Sequence, residues 1–291
     1  MALEVLIATN GSKASWPAVE YGAWLASTLE SPVVLLGAVE RAPRTALDEQ
    51  HPLEPFFTRA ASVFQSRGLR YTLEVETGSA DVIIPRRLKG QDCVTVLGPL
   101  GRPRLTRLLK GRSIGHMMTD IHGPIVYVPE ARIPMKKLLI ALGGLGYEWT
   151  AEHLALRIAL SAGAEISLLH VAPPVDRDYP TARIERKEWR HLDDTNTPIG
   201  RSIRQALDLA AKSGLKARVV ARQGLAVEEI LNEVKSGGYD MLCMGSPHSA
   251  TPLHQLYTPN VTAAVAEKVT CPLLTARFKS SQERSQPGRE L

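Results

Sequence analysis

One feature constrains this chain before any composition does: it states the same pattern twice. EVLIATNGSKASWPAVEYGAWLASTLESPVVLLGAVE opens the first copy, and KKLLIALGGLGYEWTAEHLALRIALSAGAEISLLHVAPP, from Lys136, opens the second. Further on, ETGSADVIIPRRLKGQDCVTVLG is answered by RQGLAVEEILNEVKSGGYDMLCMG, and HGPIVYVP by TCPLLTAR. Each copy runs through short apolar stretches separated by amphipathic ones. The first reads as strands near 3–9, 33–39, 70–77, 93–97 and 125–128, with helices near 14–30, 54–67, 79–89 and 112–122. The second reads as strands near 137–142, 166–171, 216–222, 240–244 and 272–276, with helices near 148–162, 198–213, 225–236 and 259–269. Near-continuous apolar strands alternating with helices mark parallel sheets covered on both faces. Pro85 falls inside the third helix of copy one and predicts a short or distorted element.

The expected fold class is therefore α/β, as two tandem doubly wound, Rossmann-like domains, each a five-stranded parallel sheet flanked by helices. The boundaries read as 1–129 for the first domain, 130–135 for a linker (overlapping PEARIP, Pro129 to Pro134), 136–277 for the second domain and 278–291 for a disordered tail. In such folds a ligand sits beyond the carboxyl ends of the strands, where strand order reverses. If strands one and four flank that point, one wall is Ala8-Thr9-Asn10-Gly11-Ser12 and the other is GPLGRPRLTRLLKGRS, residues 98–113.

The ordered recurrence of VLIATNGSKAS, PVVLLGAV, VLGPLGRPRLTRLLKGRS and HGPIVYVP, then LLIALGG, ISLLHV, YDMLCMGSPH, VAEKV and TCPLL, resembles the universal stress protein family in its tandem, two-domain form. In one branch the resemblance implies an adenine nucleotide held after strand four by a G-x2-G-x9-G-[ST] motif. Gly98, Gly101 and Gly111 match that spacing. The position for Ser or Thr is Arg112, with Ser113 one place late, and Asn10, following Thr9, stands where the family favours Asp. The residue whose backbone meets the base maps onto Ala38.

The residues can also be read on their own chemistry. Glycines at 98 and 101 let a backbone approach a phosphate, and a helix opening at 111–113 favours an anion. Arg112 offers a planar, forked cation to the same oxygens. Asn10 keeps hydrogen bonding suited to a ribose hydroxyl but loses a charge that could hold magnesium. Equally, Arg102, Arg104, Arg107, Lys110 and Arg112 describe a solvated basic loop or a face for an acidic partner, and both readings stay open. In copy two, Gly143 replaces the strand-one polar residue, His248 the second glycine and Pro259 the third, which removes an amide. Thr258-Pro259 reads as a helix start, Gly143-Gly144-Leu145-Gly146 as turn chemistry, and that crevice as degenerate.

Composition enters where it excludes. The net charge of +5 sits largely in the loop at 102–112 and in the tail, and no aromatic-plus-basic strand motif accompanies it, so nucleic acid is not expected. Three scattered cysteines make neither a disulfide framework nor a zinc site, and Cys93 and Cys243 read as buried thiols. His51, His191, His248 and His254 have no metal or dyad spacing and read as exposed loop residues. No apolar run spans a membrane and no basic leader is present, so a reducing cytoplasm is expected. No nucleophile stands beside a base, no paired carboxylates flank the crevice, and no metal is expected.

The expected function is non-enzymatic binding of ATP, ADP or AMP in the first domain, with regulation through conformation or association. The alternatives are an interaction module with both sites decayed and, ranked lower, a slow ATPase. A homodimer is favoured because apolar edge strands need covering, and a protein partner is left unnamed. The charged insert at 172–198 is expected either over a crevice or as a partner surface.

Overall fold

The computed structural model describes residues 3–39, 51–88, 92–99, 121, 123–143, 149–174, 182–246 and 261–277. Ten strands form one sheet: β1 (Glu4–Thr9), β2 (Val33–Val39), β3 (Tyr71–Thr77), β4 (Cys93–Leu97), β5 (Ile125–Tyr127), β6 (Lys137–Ala141), β7 (Glu165–Ala172), β8 (Ala217–Gln223), β9 (Met241–Ser246) and β10 (Leu273–Arg277). Their order is β3-β2-β1-β4-β5-β10-β9-β6-β7-β8. Pairing is parallel throughout except where β5 meets β10 antiparallel, with Leu273↔Tyr127, Leu274↔Val126 and Thr275↔Ile125 in register. The matched ends HGPIVYVP and TCPLLTAR, which the repeat singles out, thus pair with each other. Two five-stranded parallel blocks merge into one sheet, and each covers the other's open edge.

The helices are α1 (Trp16–Leu29), α2 (Glu54–Ser66), α3 (Ala80–Leu88), α4 (Trp149–Ala162), α5 (Ala182–Lys187), α6 (Pro198–Lys212), α7 (Ala226–Gly237) and α8 (Val261–Ala266). Successive strand residues point to opposite faces, and here both faces are buried. Val5, Ile7, Leu138 and Ile140 join one core with α1, α2, α4 and α6. Leu6, Ala8, Leu139 and Ala141 join the other with residues of α3, α7 and α8. Both cores run through the two halves. The buried Tyr21 hydroxyl on α1 bonds Met241 Sδ on β9 at 3.6 Å, and burial raises its pKa. All three thiols are buried, and burial pushes Cys93 up to about 12 and Cys271 to about 11.

The repeat extends to turn geometry. α1 ends on Glu30 in the left-handed region (φ 54°), where Glu30 N–H donates to Ser27 O and Ser31 N–H to Ala26 O. The second half uses Gly163 (φ 65°) at the equivalent bend, with the same pair of bonds to Leu160 and Ala159. α3 runs through Pro85 instead of breaking there, and its nine residues make it shorter than α7 with twelve. The outer strands β3 and β8 are only half-buried. Each is fenced by its own charges: Arg87 Nε donates to Glu74 at 2.9 Å and Arg86 pairs with Glu76, while Arg222 pairs with the buried Glu233.

The connection at 129–135 is tied to the second half. The Arg132 guanidinium donates to Tyr239 O (2.8 Å) and Thr270 Oγ1 (2.9 Å), and Asp240 Oδ2 accepts from the Lys136 and Lys137 amides. The described part of the insert also folds onto the second half. Leu192 enters the core, Thr197 caps α6 by accepting from Gly200 N–H at 3.1 Å, and α5 touches β7 with Glu185 buried. The helix expected at 112–122, apart from Ile121, and the tail at 278–291 lie outside the described residues.

Candidate functional site

In the first half β1 pairs with β2 on one side and β4 on the other, so strand order reverses at β1. A cleft of about 350 Å³ opens at the carboxyl ends of these strands. Thr9, Asn10, Gly11, Ser15 and Gly98 give it a polar end; Ala38, Val39, Pro52, Leu53, Ala80 and Ile84 give it an apolar end. None of the described residues lining it is ionisable. The described lining offers hydrogen bonding and apolar contact.

The polar end is held by a relay. Gly11 N–H donates to Thr9 Oγ1 at 3.0 Å, Thr9 Oγ1 and Ser15 Oγ lie 2.7 Å apart, and the Ser15 hydroxyl donates to Ser12 O at 2.7 Å. With the last donor fixed, the Thr9 hydroxyl must donate to Ser15. The loop after β1 is thus locked to the start of α1 by buried hydroxyls. Asn10 is exposed, and its Oδ1 accepts from Ser12 N–H at 3.1 Å, an Asx turn that leaves the side chain at the cleft rim.

Gly98 stands where the spacing places it, at the end of β4, but its lack of a side chain has a local cause. A Cβ there would lie 2.9 Å from Ser15 Cα and 3.2 Å from Ser15 O, so the backbone at Ser15 occupies that space. Ala38 lies within β2. The β1–β2 register ends at Thr9↔Gly37, one residue short of it, while the β2–β3 register continues to Val39↔Thr77. The structure therefore brings Thr9, Asn10, Ala38 and Gly98 to one opening. Gly101, Gly111, Arg112 and Ser113, with the cations Arg102, Arg104, Arg107 and Lys110, lie outside the described residues.

Three contributors escape the sequence reading. Ser15 anchors the relay. Pro52 and Leu53, just before α2, wall the apolar end, and Leu53 packs into the space left by Gly11 and Gly37. His51, expected as an exposed loop residue, is half-buried, and its Nδ1 accepts from Leu53 N–H at 3.2 Å. Pro52 and Leu53 stand in the stretch HPLEP, directly before the helix expected near 54–67, and Ser15 in NGSKAS.

In the second half, the register places His170 where the first half has Gly37. The residue is 6% exposed, Nδ1 lies 3.0 Å from Leu142 O, and Nε2 is buried without a hydrogen-bond partner among the described residues. A carbonyl can only accept, so Nδ1 carries the proton. Burial lowers the His170 pKa, against smaller upward contributions from the Leu142 carbonyl and Glu185. An imidazole thus fills space that the first half gives to Leu53 and Phe57. Gly143 sits exposed at the end of β6; Gly144 and Gly146, with His248, His254, Thr258 and Pro259, lie outside the described residues. Among the described residues, no group of three or more His, Cys, Asp or Glu is placed to hold a metal, and no helix is long and apolar enough to cross a membrane.

Residues 134–277 match the model of the Universal stress protein family. Over 146 residues the chain is 26% identical to the universal stress protein YxiE of Bacillus subtilis (strain 168), spanning 48% of this chain and 98% of that protein. Among solved structures, a universal stress protein from Archaeoglobus fulgidus DSM 4304 has a TM-score of 0.65 at 15% identity, covering 96% of this chain and 97% of that one. A functionally unknown protein from Pseudomonas aeruginosa PAO1 has a TM-score of 0.60 at 14% identity, covering 94% and 92%. At such identities these two structures establish a shared fold alone.

Proposed function

Because residues 134–277 match the Universal stress protein family and the first half repeats their fold, we propose that the first half binds an adenine nucleotide: ATP, ADP or AMP. The observation that carries this reading is the cleft at the β1 strand reversal, polar at one end and apolar at the other. An apolar, planar base suits the end formed by Ala38, Val39, Leu53 and Ile84. A ribose suits Thr9 and Asn10, and phosphates extend past Gly98 toward Gly101, Gly111, Arg112 and Ser113.

An uncharged Asn10 at the rim reduces the need for magnesium. Without an ionisable group among the described lining residues, the expected behaviour is binding without turnover. The first domain, 1–129, is then the nucleotide-binding one, and the second, 136–277, serves packing and association. Binding would regulate by favouring one arrangement of the protein, to the extent that the nucleotide prefers it.

Calorimetric titration of ATP and AMP into the wild type and a Gly101→Glu variant tests the reading. Saturable binding that the variant loses, with no phosphate released over hours, supports it. Absence of heat at millimolar nucleotide refutes it.

A further inference from the structure

A second cavity lies behind the cleft. It is a groove of about 480 Å³ between α2 and the outer strand β3, apolar at Phe57, Ala61, Leu73 and Val75 and polar at Glu54, Thr58 and Gln65. Leu73 and Val75 are 41% and 48% exposed, high for apolar residues of a strand. Among the described residues, one borders both cavities: Leu53. Its position is dictated on two sides. Cδ2 lies 2.5 Å from where a Cβ on Gly11 would stand, and Cδ1 lies 2.5 Å from where one on Gly37 would stand. The side chain is wedged between two glycines, one in the loop after β1 and one in β2, and is 4% exposed. Its backbone is fixed as well, since Leu53 N–H donates to His51 Nδ1 and Leu53 O accepts from Phe57 N–H at 2.9 Å.

We propose that Leu53 is a specificity-determining residue: it closes the apolar end of the cleft against the α2–β3 groove and so restricts the site to nucleotides with an unsubstituted adenine. This rests on the nucleotide reading above and goes beyond it by naming what the site rejects. The apolar end is where a base is best accommodated, and Leu53 forms its wall there. A base carrying an alkyl or aryl group would have to displace a side chain that two glycine Cα positions and a helix start hold in place. Shortening Leu53 would join the cleft to a groove that already offers the apolar side chains of Phe57, Leu73 and Val75, so the excluded substituent gains a place to go.

The test is titration of wild type and Leu53→Ala with ATP, N6-benzyl-ATP and 8-benzylamino-ATP, read as the ratio of each analogue's Kd to that of ATP. Wild type is expected to disfavour both analogues by at least about tenfold, since one ill-fitting apolar group is worth roughly that much in a shaped pocket. In Leu53→Ala the ratio for at least one analogue should fall to near one or below. Leu53→Val, which removes less, should give an intermediate ratio and provides the readout should a melting curve show Leu53→Ala to be unfolded. If wild type accepts both analogues as well as ATP, or if the ratios are the same in all folded variants, Leu53 is not the wall, while nucleotide binding itself stands. If wild type binds none of the three, the nucleotide reading fails and this assignment fails with it.

Discussion

Replacing Gly98 by alanine separates two explanations of the same residue. If Gly98 serves only a ligand, a methyl group there costs the ligand-free protein nothing. Its added Cβ would instead lie 2.9 Å from Ser15 Cα, 3.2 Å from Ser15 O and 3.3 Å from Ser15 C. All three are backbone atoms, so no rotamer change relieves the contact. Overpacking of this kind costs about 1–3 kcal/mol. Against it stands the entropy that alanine removes from the unfolded chain, about 0.4–1 kcal/mol in favour of the variant. The clash wins, leaving a net loss of about 1–2 kcal/mol. At about 2–4 °C per kcal/mol for a larger domain, ligand-free Gly98→Ala should melt roughly 2–8 °C below wild type in scanning calorimetry. Ser15 also carries the hydroxyl that joins Thr9 to Ser12, so the loop after β1 should lose order together with stability. An unchanged or raised Tm without nucleotide would refute the close approach of Gly98 to Ser15.

His170 gives stability a pH dependence with a defined sign. Burial lowers its pKa in the fold, so the unfolded chain takes up the proton first. Its contribution is full above the ordinary value near about 6.5 and is lost as pH falls toward the folded value. Urea midpoints of wild type should therefore drop more steeply between about pH 7.5 and about pH 5 than those of His170→Gln. Glu30→Gly should stabilise by about 0.5–1 kcal/mol, because a left-handed residue with a Cβ costs about 1–2 kcal/mol and the entropy of glycine returns part of it; a fall in the urea midpoint would contradict this. Arg222→Met should cost about 1–3 kcal/mol by chemical denaturation, because it strips the guanidinium from the buried Glu233 carboxylate and leaves it the bond from the Tyr239 hydroxyl, an effect moderated by the 43% exposure of the Arg222 side chain.

Local patterning made most of the fold legible. EVLIAT, VVLLGAV and CVTVL declare doubly covered strands because their positions are overwhelmingly apolar or small, and each forms where that pattern places it. The recurrence of HGPIVYVP as TCPLLTAR marks equivalent strand ends, but nothing local says that two equivalent edges will satisfy each other's backbone. That pairing also meets part of the need for edge covering that favoured a homodimer. At the cleft, the glycine spacing leads to Gly98, yet the atoms that demand glycine there belong to Ser15, remote in sequence but adjacent in space. Leu53 and His170 were illegible for the same reason. A leucine before a helix and a histidine in an apolar run look ordinary until Gly11 and Gly37, or the Leu142 carbonyl, are brought against them.

The single antiparallel junction between β5 and β10 sets a direction for the whole molecule. The strands of the first half run one way and those of the second run the other, so their carboxyl ends emerge at opposite rims of the sheet. Two ligands, one at each rim, would be held at least a strand's length apart. Communication between them has two routes, the strip at Ile125–Tyr127 and Leu273–Thr275 and the helix layer, where Tyr21 of α1 reaches Met241 of β9. Enclosing both rims in one polypeptide also lets them diverge. In a symmetric pair of identical chains, exchanging glycine for histidine alters both openings at once; here Gly37 admits Leu53 and Phe57 at one rim while the His170 imidazole stands at the equivalent place of the other.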